Sequence, residues 1–344
     1  MNNLTKWWFD YKKLSPEDYK NINAVCPHKE ILNNPIKYLD GTIKVRRTIP
    51  LGDTLVNHNL YVHEEARFLI SKLFDKYASD DTLLVISECE HPCVNENTYK
   101  FKNVLTTSYQ EKVLQANIDD IRSALVQKKY KRALVYIIGT QNTSGEITPQ
   151  KFYTSVRDFL ISKGVEPIIV IDDVHGMHLV PRDYSIFDYV IGTAHALLRH
   201  WDMGMMWSKN EEDFGEQPYN WLYGYVDALS FIIDRFDKIN FFSYVMREEL
   251  SEYIKLPYVE HIPYSAPHIF TLWIDCPAKQ LYDQKTEDEY FEKEVELSSG
   301  DHDTCTYLRL RGAQYITFPE YFEEAVIMTK AILDKAVAIK AIYI

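Results

Sequence analysis

Short, uninterrupted apolar runs alternate with longer helical repeats through the middle of the chain. The runs are Leu83–Ser87, Ala133–Gly139, Pro167–Ile171, Phe187–Gly192 and Met203–Trp207. A run that is apolar throughout, rather than at every second residue, suits a strand covered on both faces, as in a parallel sheet. Between the runs, His63–Ala78 repeats Ala66, Leu69, Ile70, Leu73, Phe74 and Tyr77 at helical spacing. Ile118–Gln127 and Pro149–Ser162 read the same way, with Thr148 as the expected N-cap of the latter and Pro149 as its first helical residue. The pattern predicts a doubly wound α/β core. Ligands in such cores gather at the carboxyl ends of strands. Asn142, Asp172 and Thr193 fall at or just after those ends.

Past Trp207 the rhythm changes. Tyr219–Glu252 reads as helix, with a break near Asp237. Candidate strands follow at His268–Ile274 and Thr306–Arg311, and a closing helix near Glu320–Ile339. The expected division is an N-terminal segment plus large α/β domain over residues 1–245 and a smaller α+β domain over 246–344. The first forty or so residues carry no pattern that places them.

Composition narrows the function. The chain has 344 residues, with 38 Lys+Arg against 50 Asp+Glu and a formal net charge of −12. No basic field would draw a polyanion, so neither nucleic acid nor an anionic membrane is the expected partner. No apolar run is long enough to span a bilayer. The opening residues MNNLTKWWFDYKK lack the apolar core of a signal peptide, and a cytoplasmic location is expected. The five cysteines (Cys26, Cys89, Cys93, Cys276, Cys305) show neither metal-ligand nor disulfide-framework spacing, and no metal is expected.

The segment from Asp172 to Trp207, IDDVHGMHLVPRDYSIFDYVIGTAHALLRHWDMGMMW when read from Ile171, resembles the cofactor-cradling stretch of pyridoxal-phosphate (PLP) enzymes of fold type I. Their pattern is an Asp, a Gln or His three residues on, then Ser/Thr-x-His-Lys, the lysine joining the cofactor as an imine. Asp172, His175, Thr193 and His195 stand in place, and Ala196 occupies the lysine position. The resemblance implies that Asp172, or Asp173 beside it, keeps the pyridine nitrogen protonated, because a buried carboxylate raises that nitrogen's pKa. It implies that His175 contacts the ring hydroxyl or an upstream imine. Ser87–Asn95 (SECEHPCVN) resembles the Glu-His segment of class V aminotransferases and cysteine desulfurases, which would make His91 the ring-stacking residue. Gln141–Gly145 (QNTSG) resembles their Asn-x-x-Gly stretch and places Asn142 near the ring oxygen. His63 is the candidate helper for the phosphate at the start of the first helix. Tyr307–Thr317 (YLRLRGAQYIT) resembles the small-domain strand of the isopenicillin-epimerase-like branch, whose arginine grips a substrate carboxylate; here that is Arg309. Each of these residues also has an ordinary reading, as a cap, a turn or a strand-surface residue. Their shared order beside successive strands favours the family reading.

Four features depart from the family. Ala196 removes both the covalent hook and the base at the α-carbon, and a lost base alone costs about 10²–10⁴-fold in rate. Glu64 stands where small hydroxyl residues usually open the phosphate cup. Arg199-His200 replaces the usual Gly-Pro. Glu294 holds the place of a desulfurase's nucleophilic cysteine, and Cys305 is read as a core thiol, so cysteine desulfurase is rejected. The implied protein is a homodimeric, mainly parallel α/β PLP-dependent transferase-like enzyme acting at the α-carbon of an amino acid, as aminotransferase, epimerase or lyase. PLP would be held noncovalently or as an external aldimine. Three readings of Ala196 remain: an active enzyme whose lysine has been replaced, a natural inactive scaffold or regulatory dimer, and a lysine-free enzyme using His195 or His200 as base.

Overall fold

The computed structural model describes residues 58–63, 65–88, 92–108, 117–177, 179–180, 182–193, 203–215, 239, 242–262, 265–266, 268–299, 304–317 and 320–342, the side chains of 316, 317 and 320 excepted. The described residues fall into two compact units. The larger covers 58–142 and 147–215, and the smaller covers 143–146 and 239–342.

The larger unit is built on β1 (Asn59–His63), α1 (Ala66–Tyr77), β2 (Thr82–Ser87), β3 (Val104–Thr107), α2 (Ile118–Gln127), β4 (Arg132–Ile138), α3 (Gln150–Ser162), β5 (Glu166–Asp172), β6 (Tyr189–Thr193) and β7 (Gly204–Ser208). Its sheet runs β1-β7-β6-β5-β4-β2-β3. Strands β3, β2, β4, β5 and β6 are mutually parallel, whereas β7 is antiparallel to both β6 and β1. The apolar runs become the strands, and both faces are indeed covered. One face packs Leu84, Ile86, Leu134, Tyr136, Ile168, Val170, Tyr189, Ile191 and Met206 beneath Leu69, Ile70, Leu73 and Phe74 of α1. The other face carries α3, whose Tyr153 meets Phe187 edge-on at 4.8 Å and donates its hydroxyl to the Ile137 carbonyl at 3.4 Å.

Two expected boundaries shift. The first helix starts at Ala66 rather than His63, because Asn59–His63 pairs along the whole of β7 and is strand. Thr148 does not cap α3: its hydroxyl donates to the Ile138 carbonyl at 2.8 Å, and Pro149 takes the N-cap position. Asn59–His63 and Val104–Thr107 are strands that the apolar runs did not announce.

The smaller unit contains α4 (Phe242–Glu249), β8 (Val259–His261), β9 (Ile269–Ile274), α5 (Gln284–Phe291), β10 (Val295–Ser299), β11 (Thr306–Arg311) and α6 (Glu320–Ile342). Its antiparallel sheet runs β10-β11-β9-β8. The helix expected over Tyr219–Glu252 lies mostly outside the described residues; its described end is α4 and a short turn of helix at Ser251–Ile254.

Candidate active site

Register fixes which side chains meet at the carboxyl edge of the larger sheet. Asp172 closes β5 and stands opposite Ile191 of β6, so both point to the α1 face. Thr193, two residues beyond Ile191, points the same way. Thr193 pairs with Gly204 of β7, and Gly204 pairs with His63 of β1. Asp172, Thr193, Gly204 and His63 therefore share one face at one edge, on four neighbouring strands. The start of α1 closes on the same row. A Cβ at Gly204 would lie 2.1 Å from the Ala66 nitrogen, so only glycine allows this approach of strand to helix end.

The two adjacent aspartates have opposite fates. Asp173, fully buried on the α3 face, is enclosed by Arg182 at 3.0 Å, by the Tyr184 hydroxyl at 2.6 Å and by Thr140 at 3.4 Å. Arg182 also donates to the carbonyls of Thr148 and Gly139, tying the loops after β4 and β5 together. Asp173 is thus a structural anchor. Asp172 accepts the Tyr136 hydroxyl at 2.6 Å on one oxygen and the Val174 N–H at 3.2 Å on the other. Among the described residues no cation is set against it. Burial pushes the Asp172 carboxyl up to about 6; the Tyr136 and Val174 hydrogen bonds oppose that rise and the neighbouring Asp173 charge adds to it.

The other sequence-derived positions are placed as follows. His63 stacks on Phe68 with ring centroids 3.8 Å apart, and its Nδ1 accepts the Glu65 N–H at 3.4 Å. The Thr193 hydroxyl donates to the Met203 carbonyl at 2.9 Å. His175 lies half-buried in the turn after Asp173, and Asn142 lies half-buried after β4. His91, His195 and Ala196, with Glu64, Arg199 and His200, lie outside the described residues. Gln141, beside Asn142, is 1% exposed, yet among the described residues neither its amide nitrogen nor its amide oxygen has a hydrogen-bond partner. A buried, unsatisfied amide costs about 1–3 kcal/mol, which a ligand or water at this edge would relieve.

Arg309 belongs to the smaller unit. On β11 it stands between Glu296 of β10 and Thr271 of β9. It is 2% exposed and ion-paired with Glu296, which also meets Arg311 at 2.6 Å. Arg311 has a second carboxylate, Glu294, at 3.6 Å. The arginine expected to receive a substrate carboxylate thus already holds an internal one.

Sequence reasoning missed Tyr136, Arg182, Tyr184 and Glu296. The apolar alternation of Val295 and Leu297 could have exposed β10 and hence Glu296. Nothing periodic distinguishes Tyr136 from its core neighbours, Arg182 sits in a loop, and Tyr184 opens a single 3-10 turn, Tyr184–Ile186, too short to leave a pattern.

By sequence the chain matches no protein-family model and no curated protein. By structure it is similar to a NifS-like protein from Rickettsia africae, with TM-score 0.62, 15% identity, and coverage of 91% of this chain and 96% of that one. It is similar to a probable N-succinyldiaminopimelate aminotransferase from Thermus thermophilus, with TM-score 0.59, 14% identity, and coverage of 95% and 92%. A PLP-bound C-S lyase from Staphylococcus hominis gives TM-score 0.60, 11% identity, and coverage of 92% and 90%. The fold is that of the fold type I PLP-dependent enzymes. In fold type I terms, β7 is the antiparallel strand of an otherwise mainly parallel sheet. The row Asp172–Thr193–Gly204–His63 lies at that sheet's carboxyl edge.

Proposed function

We propose that this chain binds PLP noncovalently at the carboxyl edge of the larger sheet, and that the site is built for chemistry at the α-carbon of an amino acid. One observation carries the reading. Asp172 is a buried carboxyl that meets no cation among the described residues, at the place where the resemblance sets the pyridine nitrogen, beside an aspartate that is ion-paired with Arg182. A buried carboxylate without a counter-charge is unfavourable, and a protonated heterocycle would supply that charge. The residues fit the group at three further points. The N-terminus of α1 offers backbone N–H groups and a favourable dipole to a phosphate. His63 and Thr193 flank that end. The unsatisfied Gln141 amide and Asn142 lie after the neighbouring β4.

When bound, PLP supplies an electron sink for charge developing at a substrate's α-carbon. The protein's share is different. Asp172 would hold a proton on the heterocycle nitrogen. The α1 terminus, His63 and Thr193 would fix the phosphate, with the Thr193 hydroxyl turning from Met203 to donate. His91 would stack on the ring, His175 and Asn142 would approach its oxygen substituent, and His195 would border the phosphate. Arg309 would orient an amino-acid carboxylate. With Ala196 in the lysine position, the chain has no covalent tether and no lysine base there. Binding without turnover is therefore the expected behaviour, and the reaction type would emerge with a lysine at 196. The homodimer and the cytoplasmic setting are carried over from the resemblance.

A second reading, an inactive scaffold or regulatory protein, is favoured by the Arg309–Glu296 pair, which leaves the substrate arginine neutralised from within. One experiment separates the two. Absorption spectra are recorded as PLP is added to the chain and to its Ala196→Lys variant. The first reading expects PLP uptake by both, a covalent PLP band only in Ala196→Lys, and turnover of some amino acid by that variant. Failure of both proteins to take up PLP sinks the cofactor reading. Uptake without turnover across amino acids supports the scaffold.

A further inference from the structure

We infer that Tyr136 is a positioning residue that keeps Asp172 ionised and aimed, so that the proton shared with a bound pyridine-type ring resides on the ring nitrogen. This rests on the PLP reading above and adds a residue to it.

Tyr136 lies in the middle of β4 and is fully buried. Its ring packs edge-on against Phe74 of α1, with centroids 5.6 Å apart, amid aliphatic neighbours. A phenylalanine would satisfy that packing equally well. The hydroxyl does something that packing does not require. It reaches along the sheet to Asp172 Oδ2 at 2.6 Å, a length typical of a hydroxyl donating to a carboxylate. The Val174 N–H takes Oδ1 at 3.2 Å, so the carboxyl cannot rotate without losing one of its donors. The groups around Asp172 leave this role to Tyr136. The α1 face above it presents Leu69, Ile70, Leu73 and Phe74, which carry no charge. Thr193 is uncharged. Asp173, the adjacent carboxylate, is met by Arg182 and Tyr184 on the opposite face.

A carboxyl and a pyridine sharing one proton have two forms: neutral acid beside neutral ring, or carboxylate beside pyridinium. Burial favours the neutral form, because it penalises charge separation. A donor to the carboxylate favours the ionic form. Tyr136 is the strongest such donor among the described contacts of Asp172. Only the protonated ring is a strong electron acceptor, so a hydroxyl one strand away would decide whether the cofactor can act.

The test reads the proton directly. PLP labelled with 15N in the ring is bound to the wild-type chain and to Tyr136→Phe, and the ring 15N chemical shift is measured at neutral pH. The wild type should show the protonated-ring position. Y136F, which loses one oxygen atom and keeps the ring, should move toward the neutral position while PLP remains bound. A protonated signal of equal position in Y136F overturns the inference and leaves the PLP reading intact. A wild type that takes up no PLP sinks that reading and the inference with it. Should Y136F not fold, tyrosine labelled with 13C at Cζ decides instead. The Tyr136 resonance should move when PLP binds to the wild type, because both protons draw on one carboxylate, and should be indifferent to PLP in Asp172→Asn. A Tyr136 resonance that ignores PLP in the wild type overturns the inference.

Discussion

Asp172 and Asp173 show how position, rather than residue type, sets the chemistry of a side chain. Asp172 closes β5 and Asp173 follows it directly, and the alternation of extended backbone turns the two to opposite faces. Asp173 finds Arg182, Tyr184 and Thr140. Asp172 finds a phenol and a peptide N–H, and burial raises its pKa from 3.8 to about 6. The sign of the consequence is definite. Between roughly pH 4 and 6 the unfolded chain loses the Asp172 proton while the folded chain keeps it, so this group's contribution to stability falls as pH rises, then levels off. Replacing Asp172 with Asn should remove that fall. In the absence of PLP, D172N should be more stable than the wild type at pH 7–8, by about 1–3 kcal/mol, and the advantage should vanish below pH 4. Urea unfolding at a series of pH values measures both limbs. An unchanged difference across the range would contradict the burial of an ionised Asp172.

At the scale of elements, the join between β7 and the start of α1 organises the edge. Gly204 lets the first turn of α1 lie directly on the strand, which brings its N–H groups beside the His63–Thr193 row. A side chain there meets backbone, which cannot step aside as a flexible side chain would. Gly204→Val should therefore cost about 1–3 kcal/mol of stability by overpacking and should weaken PLP uptake more than a comparable loss of stability elsewhere. Thermal melting and PLP titration of G204V measure the two effects. The same element was legible only in part from the chain. The helical repeat from Ala66 to Tyr77 marked α1 well, yet its start was misplaced at His63. A strand of five residues on an antiparallel edge has too short a pattern to be told from the helix that follows it. Thr148 shows the same limit. A threonine before a proline has the look of a cap, but its hydroxyl is drawn to the Ile138 carbonyl by a loop that folds back on β4.

For the whole molecule, the proposal implies that, with no lysine at 196, cofactor retention would be an ordinary binding equilibrium. A ligand that binds only the folded chain stabilises it in proportion to the logarithm of its concentration, by about 2.7 kcal/mol at 100 times its Kd. The melting temperature should therefore climb with PLP concentration and return to its starting value after dialysis. In Ala196→Lys the gain should survive dialysis until the covalent link is reversed. Scanning calorimetry before and after dialysis checks this. A PLP-independent melting temperature in both proteins would place the function outside PLP binding. The described helices agree with the sequence on one further point, since none is long and apolar enough to cross a membrane.

The sequence by itself determined the α/β alternation, five strands of the larger sheet, the strand at Thr306–Arg311, and the order of chemistry-bearing residues along the chain. These are local properties: a strand covered on both faces must be apolar throughout, and a helix must repeat its apolar positions every three to four residues. Only the tertiary structure decided which aspartate is paired with Arg182 and which meets no cation among the described residues, which tyrosine reaches a carboxylate, and whether Arg309 is engaged from within. Those outcomes depend on contacts between residues distant in the chain, Tyr136 with Asp172 and Ala66 with Gly204 among them. Such contacts leave no periodic trace, because one hydroxyl or one missing Cβ changes the chemistry of a site without changing the pattern of apolar and polar positions.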